Sequence, residues 1–158
     1  MAEHFRRRNR VEAYSLKVFE RRLEVFEGLF RLVQEAYQVA CEVLDNTELS
    51  HEERTALVFP AGLRIAEYTD ENALYLDHYV AADAAAFMLG VDDILAIEDL
   101  TEREAEISVF RQRYKSLKQL IIEESGVYQV NQHFRLVSRS RPDSPIIRRI
   151  KELEKHST

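Results

Sequence analysis

The chain has little of what builds a β-rich, secreted or membrane-spanning protein. Its 158 residues include four glycines, three prolines, one cysteine and no tryptophan. So few turn-forming residues argue against a sheet of many short strands. A single cysteine cannot form an internal disulfide, which favours a cytoplasmic protein. No apolar run reaches the roughly eighteen residues of a membrane span, and the N-terminus lacks the apolar core of a signal peptide.

Composition and charge describe a globular chain with an acidic centre. Hydrophobic residues make up 46% and charged residues 32%, and the length suits a single bundle domain. Residues 1–10 carry four arginines against one acid, and residues 127–158 carry seven Lys or Arg against three acids. Residues 11–126 carry 11 bases against 24 acids. The sequence therefore predicts a basic N-terminal arm (1–10), an acidic helical bundle (11–126) and a basic C-terminal appendage (127–158).

One long amphipathic helix is predicted from about Val11 to Asp45. Apolar residues recur there at steps of three and four over about eight turns, a coiled-coil-like pattern. A second apolar series runs beside the first, and this wide face favours packing against at least two neighbouring helices. The first series is Leu16, Phe19, Leu23, Phe26, Phe30, Val33, Tyr37, Ala40 and Leu44; the second is Val25, Leu29, Leu32, Ala36, Val39 and Val43. Gly28 falls on the polar side.

The remaining helices are predicted from caps and breakers. Ser50 and Glu53 form a capping box for a second helix, which Pro60 and Gly62 interrupt. A third helix is predicted from Glu71 to Leu89, with Thr69-Asp70 as its cap and Gly90 as its end, and a short helix from Asp92 to about Asp99. Thr101 and Glu104 cap a fourth main helix, which Gly126 closes. Its apolar residues step by three and four and form one stripe: Ile107, Phe110, Tyr114, Leu117 and Ile121. The predicted fold is all-α, an antiparallel bundle of about four main helices around the long first helix.

The C-terminal appendage has its own pattern. Residues 127–137 alternate apolar and polar side chains, which predicts an extended arm or a single strand. A polar, basic linker follows, and Ser144 with Pro145 predicts a last helix to about Lys155. The appendage either folds back on its own bundle or docks onto another subunit. Its candidate interface residues are Tyr128, Val130, Phe134, Leu136, Ile146 and Ile150.

No catalytic, metal-binding or cofactor-binding motif is predicted. Acids and a histidine gather around the third helix, but a di-metal bundle needs inward-facing Glu-x-x-His pairs from two helices, which these positions do not supply. They are Asp77, His78, Asp83, Asp92 and Asp93, and we expect a solvated surface. Cys41 is predicted to be a half-buried structural thiol and not a nucleophile. The four glycines are isolated and form no phosphate-binding loop.

The arginine-rich ends suggest polyanion binding. The candidates are Arg6, Arg7, Arg8, Arg10, Arg139, Arg141, Arg148 and Arg149. Such residues could meet phosphates of anionic lipid headgroups or, less favourably, of nucleic acid. The acidic body opposes this reading because it repels polyanions, and aromatic residues do not interleave with the arginines.

Two short motifs resemble a family of small bacterial helical-bundle proteins. The run from Phe19 to Phe26 (FERRLEVF) is similar to a run near the start of their soluble part. Residues 86–93 (AFMLGVDD) are similar to their turn between two helices, and residues 103–124 match their last helix in position. The resemblance implies a cytoplasmic helical bundle with no known chemistry. An N-terminal membrane segment often precedes the motif in that family, whereas a short polar segment precedes it here.

The expected function is therefore a non-enzymatic interaction or scaffolding role, with self-association into a homo-oligomer or binding of another protein partner. The first helix is predicted to outreach the helices that cover it, and an uncovered apolar surface usually marks a partner site. One alternative is a peripheral module that binds anionic lipid or nucleic acid through the arginines. The other is a bundle that holds a small ligand or a metal, which predicts an inward-facing polar cluster.

Overall fold

The computed structural model describes residues 2–129, and their side chains from residue 14 onward. Its elements are α1 (Ala2–Asp45), α2 (His51–Glu71), α3 (His78–Ala86), a 3₁₀ helix (Val91–Ala96) and α4 (Leu100–Glu124). All are helical, and no strand occurs within residues 2–129, which confirms the predicted all-α bundle. The chain divides into two compact units, Met1–Gly126 and Val127–Thr158. No helix in the described part of the chain is long and apolar enough to cross a membrane.

Helix α1 is the central element of the bundle. It packs chiefly against α2 and also against α4 and the 3₁₀ helix. From Val25 onward its two apolar series form much of the core. The predicted stripe on α4 is also confirmed, since Phe110, Leu117 and Ile121 are buried. Aromatic rings join the elements, with Tyr37 stacked on Tyr114 at 3.7 Å between centroids.

Two predicted terminal segments differ in the structure. Helix α1 begins at Ala2, so residues 2–10 continue the helix and do not form a separate arm. Arginine is a good helix former, and neither proline nor glycine interrupts this run. In the second unit, residues 127–129 are helical and not extended, because a short alternating pattern does not distinguish the two conformations. The rest of the predicted arm, the linker and the predicted last helix lie outside the described residues.

Helix α2 is longer than predicted because Pro60 and Gly62 do not end it. The Ser50–Glu53 capping box is confirmed, with the Glu53 amide donating to Ser50 Oγ at 3.2 Å. The helix then continues through Pro60 to Glu71. Proline removes the hydrogen bond to the carbonyl four residues earlier, but Pro60 and Ala56 are exposed, so water can satisfy that carbonyl.

The caps of α3 and α4 lie at other residues than predicted. Thr69 is inside α2, where its hydroxyl donates to the Ala66 carbonyl at 2.8 Å, and Asp77 caps α3 instead. Asp99, not Thr101, caps α4 and accepts hydrogen bonds from two backbone amides at 2.7 and 3.0 Å. An N-cap residue has extended backbone, and its side chain accepts a hydrogen bond from a free amide in the first turn of the helix. Asp77 and Asp99 have this conformation. Gly126, at φ 82°, takes a left-handed conformation just after α4, as predicted. Gly90, at φ 79°, instead precedes the 3₁₀ helix, because α3 is shorter than predicted and ends at Ala86.

The prediction that Gly28 faces the polar side of the first helix is wrong. The ring of Tyr68 on α2 lies over Gly28, and its hydroxyl donates to the Val25 carbonyl at 3.0 Å. A Cβ at position 28 would lie 2.8 Å from Tyr68 Cζ. Glycine therefore allows the close approach of α1 and α2 at this point.

Candidate interaction surfaces

The start of α1 carries apolar side chains that the bundle does not cover. Tyr14, Leu16 and Val18 are 72%, 58% and 39% exposed. Further along the same helix Val25 is only 1% exposed, and the core continues from there. Helix α1 has 44 residues and α4, the next longest, has 25, so α1 extends well beyond its neighbours at ~1.5 Å per residue. The mismatch in length leaves apolar surface in contact with solvent.

These three residues extend the two buried seams of α1. Tyr14 and Val18 are four residues apart and share a face of the helix with Val25. Leu16 lies on the other seam, three residues before the half-buried Phe19. Both seams thus continue outward from the core to a part of α1 where their apolar side chains are exposed.

A second apolar surface lies between α2 and the turn that joins α3 to the 3₁₀ helix. We call it the α2–α3 groove. It has a volume of about 360 Å³, and its apolar lining consists of Val58, Phe59, Gly62, Leu63, Ala66, Ala85, Met88, Leu89 and Gly90. Phe59, Leu63 and Leu89 are 64%, 44% and 71% exposed at its rim. The groove is therefore open to solvent and presents apolar side chains to it.

The floor of this groove depends on a close contact. A Cβ at Gly62 would lie 3.2 Å from the Met88 Cβ, so α2 and the turn after α3 approach closely there. A second depression of about 430 Å³ continues the surface toward the start of α2, past Phe59 and Pro60. Together the two depressions make a continuous apolar track along one side of α2.

Buried Arg54 fixes the end of the groove near the start of α2. Its Nε donates to the Asp92 carbonyl at 3.0 Å, and its Nη1 donates to the Leu49 carbonyl at 2.7 Å. Thr55 adds a bond from its hydroxyl to Asp92 Oδ2 at 2.7 Å. These bonds tie the 3₁₀ helix to α2 and hold the groove wall in place. Sequence reasoning missed Arg54 because nothing in its local pattern distinguishes it from a solvated arginine.

The same end of the groove is acidic. Ligand atoms of His51, Asp92 and Asp93 lie within 4.8 Å of one another, and His51 Nδ1 is 3.8 Å from Asp93 Oδ1. Glu52 lines the adjoining depression. His51 and Asp93 are exposed, and exposed acidic groups are common without a bound ion, so this group by itself does not indicate a cation site. His51 follows Glu48 in the one Glu-x-x-His spacing of the sequence, yet Glu48 precedes α2 and shares no helical face with it.

The predicted cluster of acids and histidine around α3 is divided in the structure. Asp77 accepts a hydrogen bond from the Tyr79 amide at 2.9 Å as the cap of α3. His78 Nδ1 lies 3.8 Å from Asp77 Oδ1, and its ring packs beside Tyr79. Asp83 is exposed and lines a shallow depression with Lys115 on α4. Of the predicted cluster, the two remaining acids, Asp92 and Asp93, belong to the acidic end of the groove.

Cys41 has the half-buried position that the sequence predicts. Burial raises the pKa of its neighbour Tyr37, and a hydrogen bond with Cys41 raises it further. Tyr37 is therefore protonated at neutral pH and cannot serve as a base for the thiol. This arrangement supports a structural role within the aromatic packing of α1 and α4.

The buried polar side chains serve the backbone. They are Arg54, Thr69, Asn72 and Ser125. Each hydrogen-bonds to a main-chain carbonyl, and within the described residues no buried side-chain nitrogen or oxygen lacks a partner. Among the described residues these buried polar groups are thus satisfied by the backbone, and the alternative of a bundle that holds a small ligand or a metal stays a prediction.

The remaining sequence candidates lie mostly at the two ends of the chain. Arg6, Arg7, Arg8 and Arg10 belong to α1, and their role in polyanion binding stays a prediction. Tyr128 is 51% exposed in the second unit. The other candidates lie outside the described residues: Val130, Phe134, Leu136, Arg139, Arg141, Ile146, Arg148, Arg149 and Ile150.

Comparison with known proteins does not extend this picture. No protein-family model matches the chain, and no match is found among the curated proteins or among the solved structures. The similarity of its two short motifs to small bacterial helical-bundle proteins therefore stays an expectation from sequence. The surfaces described above carry the functional argument.

Proposed function

We propose that this protein is a non-enzymatic interaction module that self-associates through the uncovered start of α1. The observation that carries the proposal is the exposure of Tyr14, Leu16 and Val18 on a helix whose later turns bury the same two seams. Isolated apolar residues on a surface are ordinary, but these three continue two buried seams along one rigid helix. A second copy of the chain supplies the same apolar seams, so it is a chemically suitable partner.

The free energy available from this surface favours association. Full burial of a large apolar side chain contributes roughly 1.5–3 kcal/mol. Since Tyr14 and Leu16 are more than half exposed, each would contribute about 1 kcal/mol more on association, and Val18 somewhat less. In a dimer both copies contribute, and every 1.4 kcal/mol changes the dissociation constant about tenfold.

Sedimentation of the full chain at micromolar concentration tests this proposal. We expect a dimer or larger species, and we expect the variant Y14E/L16E/V18E to dissociate at a concentration at least about a hundredfold higher, because buried carboxylates are costly. Leu74→Glu is the matched control, because Leu74 is 95% exposed in the turn between α2 and α3. This control should associate like the unmodified chain. Circular dichroism should show the same helix content in all variants.

Two results would contradict the proposal. One is a full chain that stays monomeric across the micromolar range. The other is an oligomer whose dissociation constant is the same in the triple variant and in the Leu74→Glu control. In the second case the chain associates through another surface, and the exposed start of α1 does not carry the interaction.

A further inference from the structure

We propose that the α2–α3 groove of one copy binds the start of α1, residues 14–22, of a second copy. This inference rests on the proposed self-association and names the surface that receives α1. Both surfaces present exposed apolar residues, and the structure describes the side chains of residues 14–22 and of the groove. A helix that lays apolar side chains into an open groove is a common mode of protein recognition.

The spacing of the exposed residues suits such a groove. Tyr14 and Val18 are four residues apart, the separation at which two side chains of a helix enter the same groove. The apolar track offers Phe59, Leu63 and Leu89 as exposed walls. Phe59 and Leu63 are themselves four residues apart on α2, so two helices with matching apolar spacing would face each other.

Charge favours the same pairing. Residues 14–22 carry Lys17, Arg21 and Arg22 against one acid, and the four arginines of residues 6–10 precede them on the same helix. The groove ends in Glu52, Asp92 and Asp93, accompanied by one histidine. Arg54 is buried and hydrogen-bonded to carbonyls at this end, so its guanidinium faces the backbone and not the solvent. A basic helix approaching this end would therefore be attracted over the Debye length of about 8–10 Å.

The contact joins two different surfaces, so its symmetry is not fixed by the contact itself. A two-fold dimer can make it twice, with each α1 lying in the groove of the partner. Repetition in one direction would instead give a ring or a chain of copies. Leu16 lies on the other seam from Tyr14 and Val18, and in the two-fold arrangement it remains available for a contact between the two α1 helices.

Disulfide capture between copies tests the contact. In a Cys41→Ser background, one population carries Val18→Cys and a second, differently tagged population carries Leu89→Cys. After mixing and mild oxidation, we expect the mixed disulfide in roughly tenfold or greater excess over a pairing of Val18→Cys with Leu74→Cys, because docking raises the effective concentration of the two thiols. Leu74 and Leu89 are both exposed, which makes them matched partners. High salt and the variant E52K/D93K should each reduce the yield.

Three outcomes overturn the inference. Equal yields with Leu89→Cys and Leu74→Cys show that the groove is not the receiving surface. A disulfide that closes only within a single chain carrying both Val18→Cys and Leu89→Cys shows that the occupant is not a second copy. Association that persists in the variant F59E/L89E but is lost in Y14E/L16E/V18E leaves the proposed function standing and refutes the groove contact. A monomeric chain refutes both proposals.

Discussion

Substitution of Gly28 by alanine should destabilise this protein, although alanine is the better helix former. In an exposed helix the exchange gains about 1 kcal/mol. Here the new Cβ would lie 2.8 Å from Tyr68 Cζ and would meet the Tyr68 hydroxyl still more closely. The ring must move, and its hydrogen bond to the Val25 carbonyl is then lost. The sign of the effect therefore depends on a single contact between α1 and α2.

The magnitude follows from three contributions. Overpacking costs about 1–3 kcal/mol, and the lost hydrogen bond costs about 0.5–1.5 kcal/mol. After subtraction of the gain in helix propensity, we expect Gly28→Ala to lower the free energy of unfolding by about 2 kcal/mol. In a Tyr68→Ala background the obstacle is absent, and the same substitution should raise the free energy of unfolding by about 1 kcal/mol. The coupling between the two positions is then about 3 kcal/mol.

Urea unfolding followed by far-UV circular dichroism measures all four members of this cycle. Tyr68→Phe provides an intermediate control, because it removes the hydroxyl and keeps the ring. The reasoning is refuted if Gly28→Ala stabilises the otherwise unmodified protein, or if its effect is the same with Tyr68 present and in the Tyr68→Ala background. Either result would mean that α1 and α2 do not approach as closely as this contact requires.

Three further predictions concern the groove and the helix ends. Arg54→Met should lower the free energy of unfolding by about 2–4 kcal/mol, because the carbonyls of Leu49 and Asp92 lose their donors. Amide hydrogen exchange in residues 91–96 should accelerate, and unchanged exchange would show that Arg54 does not hold the 3₁₀ helix against α2. Backbone hydrogen bonds from Glu102 and Thr101 lower the pKa of Asp99 from its ordinary value. Its stabilising effect is therefore present above the unfolded-state pKa and is lost as the pH falls through the folded-state pKa. Asp99→Asn should make the free energy of unfolding less dependent on pH in the acid range, and an unchanged pH dependence would count against the cap. Pro60→Ala should raise the thermal midpoint and add about 1–3 kcal/mol, because it restores a backbone donor in α2, whereas a loss of stability would show that the proline conformation is needed there.

The sequence predicts the helices best where its signal is long and periodic. The two series on α1 and the stripe on α4 are each set by several residues, so one atypical position does not obscure the pattern. Boundaries that depend on one residue were less predictable. Pro60 suggests a helix end, but α2 still contacts α1 beyond it through Arg64 and Tyr68, and those contacts stabilise the helix past the proline. Thr69 has a residue type that is typical of a helix cap, but it lies inside α2.

The candidate surfaces differ in how far the sequence reveals them. The uncovered start of α1 follows from its length relative to the other helices, which periodicity alone indicates. The α2–α3 groove does not follow from any local pattern, because its walls come from two segments about thirty residues apart. No local pattern predicts the burial of Arg54 or the short distance between His51 and Asp93 either, because each depends on contacts between α2 and the 3₁₀ helix.

For this protein, the sequence by itself determined the class of fold, the central helix and the excess of apolar surface on it, because hydrophobic periodicity is a property of neighbouring residues along the chain. Only the tertiary structure decided where that surface ceases to be covered, how closely α2 approaches Gly28, and which side chains line the groove. Those features depend on distances between residues far apart in sequence, and such distances are set by packing.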